Sequence, residues 1–464
     1  MADHIPPKTS EPLCRTISNF GGNVEFQPAL SFTPRSEEEV LSVLRQHRGR
    51  RIRAIGRLHS WSRATVADDV LLDLRHLNEV RVETSAAGQS IATIGAGCQI
   101  KRALAELNRL GGWTLPSIGL ISEQAIAGAI STATHGSGTH SLAHYVSAVR
   151  MAIYDRDTGE PVIRTFDGGD ELRAARCSLG CLGIVLSVQM PVRPQYFVEE
   201  HFREYRTLDE VLAAEEQFPL QQFYLIPWRW TYLAQHRRDV PGPRSVLAPL
   251  YRAYWFLFID LGLHLLLLLL VQVLKSPALI RGFYRWLVIL TVIRRWHVVD
   301  RSQDQLIMEH ELFRHIEIEL FVAGSRLAEA LQFVRETICN SDGAYTHHYA
   351  ICVRKVLPDD TLISMSSGHA ESSYAISLIS YARPSERAGF FQFAEYLTHS
   401  MSQRFGARPH WGKYCPLTPE EAERLYPRLG EFRETCRRYD PRGQFRNDWT
   451  AGVVLGDRSA TPPA

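Results

Sequence analysis

The segment from Ala253 to Leu274, AYWFLFIDLGLHLLLLLLVQVL, carries a single formal charge, Asp260. A run of that length reaches across the hydrocarbon core of a bilayer. The chain must therefore bury it, cross a membrane with it or lay it in a lipid interface. A second, shorter apolar run follows at Phe283 to Ile293. Arg252, Lys275, Arg281, Arg285, Arg294 and Arg295 flank both runs, so the basic residues assign no orientation. The reading we prefer is a hydrophobic hairpin or interfacial anchor, with basic and Trp/Tyr side chains at headgroup depth. The alternative is a long buried helix pair or an oligomer contact.

The rest of the chain has a soluble composition. Its 464 residues, 45% hydrophobic and 22% charged, suffice for a core and two or more domains. A formal net charge of +2 provides no field for nucleic acid, and none is expected as a partner. Eight cysteines are too few and too irregularly placed for a disulfide scaffold. No second pair completes a zinc site with Cys177 and Cys181, so no metal is expected, and the thiols fit a reducing compartment. The N-terminal MADHIPPKTSEPLCRT has no apolar core, so no secretory signal is expected. The tail after Asp457, RSATPPA, is expected to be disordered.

Periodicity places the elements. Ser36 to His47 has an acidic first turn and helical apolar spacing. Arg51–Ile55, Val70–Leu74, Ile91–Gly95 and Gly183–Val192 read as strands. Ile100–Leu110 reads as a helix stopped by Gly111 and Gly112. Beyond Val198, Ile316–Val322 and Tyr374–Tyr381 read as strands and Leu327–Cys339 as a helix. The pattern is α+β or α/β.

Three clusters can carry chemistry. In Arg53-Ala54-Ile55-Gly56-Arg57-Leu58-His59-Ser60 a strand runs into a turn whose NH groups can cradle a pyrophosphate. Leu115 to Gly119 and Gly128 to Gly138 are rich in small and hydroxylated residues, which let a ligand approach the backbone. Arg408-Pro409-His410-Trp411-Gly412-Lys413 sets cations beside aromatic rings. Each is ambiguous alone: a loop histidine is most often a packing residue, and a glycine-rich stretch is most often a tight turn. No GxGxxG motif is present.

Their order and wording resemble the vanillyl-alcohol-oxidase-type FAD flavoproteins, and within them the sugar-1,4-lactone oxidases acting on L-gulonolactone or D-arabinono-1,4-lactone. The resemblance rests on His59-Ser60, Thr134-His135-Gly136-Ser137-Gly138, Leu179-Gly180-Cys181-Leu182-Gly183, Pro409 to Lys413, Tyr426-Pro427, and Asp440-Pro441 with Gly443, Phe445 and Asn447. It covers Phe20 to Trp449.

The resemblance implies an α+β, two-domain fold with a PCMH-type FAD-binding domain over residues 20–193. A cap domain with an antiparallel sheet would span 194–407, carry an apolar helical insert at 251–296, and be followed by a return to the flavin site over 408–450. It implies FAD attached through an 8α linkage to His59, with Ser60, Gly56, Arg57, Ser117, Gly119, Ser122, Gly128, Thr132, Thr134, His135, Gly136, Ser137, Gly138, Ile184 and Lys413 around the cofactor. The turn departs from the family at Arg57-Leu58, which are bulkier. Lys413, His410 and Arg354 would be catalytic, Lys413 as a point cation at the flavin N1–C2=O edge. Arg354 falls on the arginine of a Glu-x-Arg strand pair whose glutamate is here Cys352, and a thiol does not replace a carboxylate.

The implied chemistry is hydride transfer from a carbinol carbon to flavin N5, with electrons passed to O₂ or another acceptor. The expected substrate is a small carbohydrate, a sugar-1,4-lactone. An alditol or a lipid-linked sugar are the alternatives, and a non-catalytic flavin-binding protein is a further one. If residues on both sides of the apolar segment build one flavin site, that segment crosses a membrane an even number of times or lies in the interface. The expected location is membrane-associated, with the catalytic domains on the cytoplasmic side.

Overall fold

The computed structural model describes residues 16–457 except 85, 87, 309–311, 342 and 343. The N-terminal segment read for a signal begins outside these residues, and the tail after Asp457 lies outside them.

The N-terminal half builds a three-stranded and a five-stranded sheet around one core. Strands Leu30–Phe32, Val70–Asp73 and Ile52–Ile55 pair in parallel with Val70–Asp73 in the centre. That central strand is buried throughout, as expected of a parallel strand covered on both faces. Helix Glu37–Gln46 buries Val40, Leu41, Val43 and Leu44. Ser36 caps it by accepting the Glu39 N–H at 3.2 Å, and three glutamates complement its N-terminal dipole. An antiparallel sheet follows in the order Pro161–Phe166, Ala148–Tyr154, Ile184–Pro191, Ser90–Gly95, Val80–Thr84. Trp411, Tyr426, Phe432, Phe445 and Trp449 enter the same core, so the C-terminal part of the chain returns to the first unit.

The second unit is an eight-stranded antiparallel sheet. Its order is Val298–Arg301, Phe197–Tyr205, Tyr232–Val240, Gln222–Leu225, Ile351–Val356, Ser373–Ser380, Ile316–Ala323, Arg408–Pro409. In Ile316–Ala323 the period of two sends Ile316, Ile318 and Leu320 into the core with helices Leu327–Asn340 and Ala388–Phe405. Glu317 and Glu319 therefore face the opposite side, toward the first unit.

The apolar segment is a helical hairpin laid along this sheet. A continuous helix runs from Ala248 to Leu274. It stops at Lys275, whose φ of 47° is left-handed. Ser276 then caps the next helix, Pro277–Gly282, and helical turns continue to Leu290. Leu267, Leu270, Ile280, Phe283 and Ile289 pack on Phe202, Ile226 and Leu233. Tyr251 donates to Glu200 at 2.6 Å near one end of the long helix, and Gln272 donates to the Tyr381 carbonyl at 2.7 Å near the other. The helix is thus held lengthwise. The hairpin's outer face is open: Phe258 and Val273 on the long helix and Trp286 and Leu290 on the second arm are each at least 62% exposed. Only 28% of its most apolar window is buried, which corrects the alternative of a buried helix pair.

Candidate active site

Two adjoining cavities lie between the units. The first is a cleft whose walls include the Arg53–Trp61 turn, Gly128, Thr132, Gly180, Gly183, Ile184 and Lys413. Strand Ile52–Ile55 delivers the turn, and Leu58 bends it with a φ of 55°. His59 is buried with its ring stacked on Phe20, centroids 5.2 Å apart, and Nδ1 3.1 Å from the Arg57 carbonyl. Arg53 knits the cleft floor. Its guanidinium donates to the carbonyls of Phe445 (2.6 Å), Leu179 (2.9 Å) and Gly180 (3.1 Å), and also to that of Ala64.

The second cavity is a chamber beneath the cap sheet. Gln124, His410 and Lys413 belong to the walls of both cavities, so they form the partition. Lys413 Nζ donates to Glu317 Oε2 at 2.5 Å and sits 4.5 Å from the centroid of the Trp61 ring. Arg354 pairs with Glu319, and the Ser377 hydroxyl donates to Glu319 at 2.8 Å. His135 donates Nδ1–H to the Gly136 carbonyl at 2.9 Å and brings Nε2 to 3.5 Å from Glu319. The remaining walls include Tyr224, Phe313, His315, Tyr349 and Tyr381, together with Asp260 and His264 of the apolar helix.

The charges in this chamber are set by burial and pairing. Burial alone raises a carboxyl pKa, but Arg354, then His135 and Lys413, hold the Glu319 carboxyl well below its usual range. Burial opposes the Arg354 charge, and Glu319 more than offsets it, so the guanidinium pKa rises. Burial pushes the Cys352 thiol up to about 12, so it stays neutral. His410 is held well below the ordinary histidine value, chiefly by burial. The Gly412 N–H donates to its Nδ1 at 2.9 Å, which leaves the proton of the neutral ring on Nε2. Ligand atoms of His135, Glu319 and His410 lie within 4.8 Å of one another, but the Arg354 guanidinium already holds the Glu319 carboxylate.

Residues 188–453 match the family model described as D-arabinono-1,4-lactone oxidase, and residues 28–160 match the FAD binding domain. The chain belongs to the D-arabinono-1,4-lactone oxidase family. It is accordingly an FAD-dependent oxidoreductase acting on CH–OH groups, with the two-domain vanillyl-alcohol-oxidase-type fold. It is 53% identical to a long-chain alcohol oxidase from an uncultured marine euryarchaeote, over 95% of this chain and 97% of that one. It is 27% identical to an L-gulono-1,4-lactone dehydrogenase of Mycobacterium tuberculosis, over 94% and 98% of the two chains. Among solved structures, a solvent-stable cholesterol oxidase superposes with a TM-score of 0.77 at 15% identity, covering 95% of this chain and 97% of that one.

The cleft of this D-arabinono-1,4-lactone oxidase family member fits FAD. A Cβ added at Gly128 would meet no protein atom within 4 Å, so the protein's own packing does not require glycine there; its absent side chain leaves room for a ligand. Gly183 is tighter, since a Cβ there would stand 2.7 Å from the Ala152 carbonyl oxygen. The Arg53 guanidinium, bound by backbone carbonyls, holds the cleft wall in place.

The structure brings Gly56, Arg57, His59, Ser60, Gly128, Thr132, Ile184 and Lys413 to the cleft, with His410. It brings Thr134, His135 and Arg354 to the chamber. Ser117, Gly119, Ser122, Gly136, Ser137 and Gly138 belong to neither wall. Ser117 bonds Thr139 at 3.0 Å, and a Cβ at Gly119 would press on the His135 carbonyl at 3.1 Å. Gly138 has a φ of 73°, and a Cβ there would fall 1.7 Å from the Pro219 carbonyl oxygen. Sequence reasoning missed Glu317 and Glu319, whose signal is two carboxylates two residues apart in an otherwise apolar strand. It also missed Asp260 and His264 as chamber residues, although i,i+4 spacing puts them on one helix face.

Proposed function

We propose that the chain oxidises the alcohol carbon of a lipophilic alcohol, with FAD held covalently through His59. One observation carries this reading: the apolar hairpin is itself a wall of the substrate chamber, through Asp260 and His264. The long-chain alcohol oxidase relative supports it. Bound FAD supplies the acceptor for a hydride, and O₂ or another acceptor reoxidises it. His410 offers Nε2–H and Lys413 its ammonium at the partition, where they orient the substrate oxygen. Glu317 receives the hydroxyl proton, while Glu319 stays anionic and fixes Arg354. The exposed hairpin face rests on a membrane surface, and the free thiols of the described cysteines suit a cytoplasmic side for the catalytic domains. We also propose the domain limits 20–193, 194–407 and 408–450, and a supporting role for Ser117, Gly119, Ser122 and Gly136 to Gly138 in the loops that bring Thr134 and His135 to the chamber.

Oxidation of a sugar-1,4-lactone is the second reading, supported by the family match over 188–453 and by the polar ring of Arg354, Glu319 and Ser377. Anaerobic reduction of the purified holoprotein separates the two. Bleaching of the flavin by 1-alkanols and not by aldono-1,4-lactones supports the first reading; the reverse supports the second.

A further inference from the structure

A third cavity lies between the long apolar helix and the segment Gln303–Met308. It shares Asp260 and Met308 with the substrate chamber, so the two meet at those residues. Trp255 and Phe256 also line it, and Phe256 is 40% exposed on the helix's open apolar face. The flavin cleft, the chamber and this third cavity are therefore neighbours in a row, each sharing wall residues with the next, and the last reaches a residue that the hairpin presents outward.

The walls of this third cavity differ in character. Trp255, Phe256, Ile307 and Met308 are its apolar lining. The rest is polar: Arg252 pairs with Asp304 at 3.2 Å, and Glu200 accepts from Arg237 at 2.6 Å, from Gln235 at 2.8 Å and from Tyr251 at 2.6 Å. Such a passage suits a molecule with one polar head on an apolar chain. The head can run along the polar wall while the chain stays against the rings.

We infer that substrate enters the chamber from the lipid side, between helix Ala248–Leu274 and segment Gln303–Met308, and that this passage selects long-chain alcohols. The inference rests on the lipophilic-alcohol reading above and adds where and how that alcohol arrives. Water-soluble short alcohols do not depend on a lipid-side path, so the ratio of long-chain to short-chain turnover reports on it.

The test uses full-length holoprotein in phosphatidylcholine vesicles, with 1-dodecanol and 1-butanol as probes. Two variants act outside the chamber: Phe256→Glu charges the mouth, and Ile307→Trp narrows the passage. In both, the ratio of kcat/KM for dodecanol to that for butanol should fall by about tenfold or more at unchanged flavin content. An unchanged ratio in both variants overturns the passage and leaves the alcohol-oxidising activity standing. If dodecanol perturbs the flavin absorption without reducing it, the activity reading fails. The passage is then judged from the rate of that perturbation, which slowing in the variants supports and equal rates overturn. Dodecanol that neither perturbs nor reduces the flavin sinks both.

Discussion

Arg354 reaches Glu319 across an intervening strand, and Ser377 on that strand accepts from the first at 3.3 Å and donates to the second at 2.8 Å. Arg354 thus takes its carboxylate partner from another strand and not from the position of Cys352, two residues before it. Glu319→Gln leaves a buried guanidinium without its anion, and such a loss costs on the order of 3–5 kcal/mol. Denaturant unfolding should show it. Cys352→Glu, which restores the family residue, should lower stability and leave turnover no higher, because it adds a like charge beside Glu317 and Glu319. Enhanced turnover would show that the cross-strand carboxylate is no substitute.

His59→Ala should abolish flavin fluorescence on the denatured protein band and leave flavin that acid extraction removes. Fluorescence persisting on the variant band would place the covalent bond elsewhere.

Several buried histidines make stability depend on pH with a definite sign. Burial lowers His315 to about 3 and His236 and His348 to about 4, and lowers His410 well below the ordinary value. Their unfolded value is about 6.5. Below it the unfolded chain takes up protons that the folded one refuses, so this stability is complete above about pH 7 and is lost as pH falls toward 4. Glu319, whose folded carboxyl is held low, adds a further loss below its unfolded value of 4.5. Unfolding followed from pH 8 to 4 should show the fall, and His315→Gln should flatten it. Equal stability at pH 7 and pH 5 would refute the account.

Membrane attachment through the hairpin can be read by vesicle flotation. Leu269 and Trp286 are 44% and 63% exposed on the apolar face. Full burial of a large apolar side chain is worth about 1.5–3 kcal/mol. Leu269→Asp with Trp286→Asp should therefore lower partitioning by about a hundredfold or more while flavin content is kept. Undiminished flotation would assign the face to another protein.

Much of this molecule was legible along the chain. The helix at 37–46 announced itself through Ser36 and its acidic first turn, and the strands at 52–55, 70–73 and 316–323 through their apolar patterning. His59, Gly128, His410, Gly412 and Lys413, far apart in the chain, all line the cleft. What stayed hidden depended on pairing. Strand periodicity shows that Glu317 and Glu319 share a face, but not that Arg354 stands two strands away. Hydropathy marks Ala253–Leu274 as lipid-like and cannot show that Asp260 and His264 turn inward to a chamber. The glycines at 136 and 138 read as cofactor-lining, yet Gly138 owes its identity to a left-handed turn pressed on the Pro219 carbonyl.

Arg53 gathers carbonyls from Ala64, Leu179, Gly180 and Phe445, four points spread over most of the chain's length. During synthesis the cleft floor stays open until the stretch around Phe445 has left the ribosome and folded back. A chain cut short before Phe445 would therefore lack one of the carbonyls that Arg53 gathers and would leave the cleft floor unclosed.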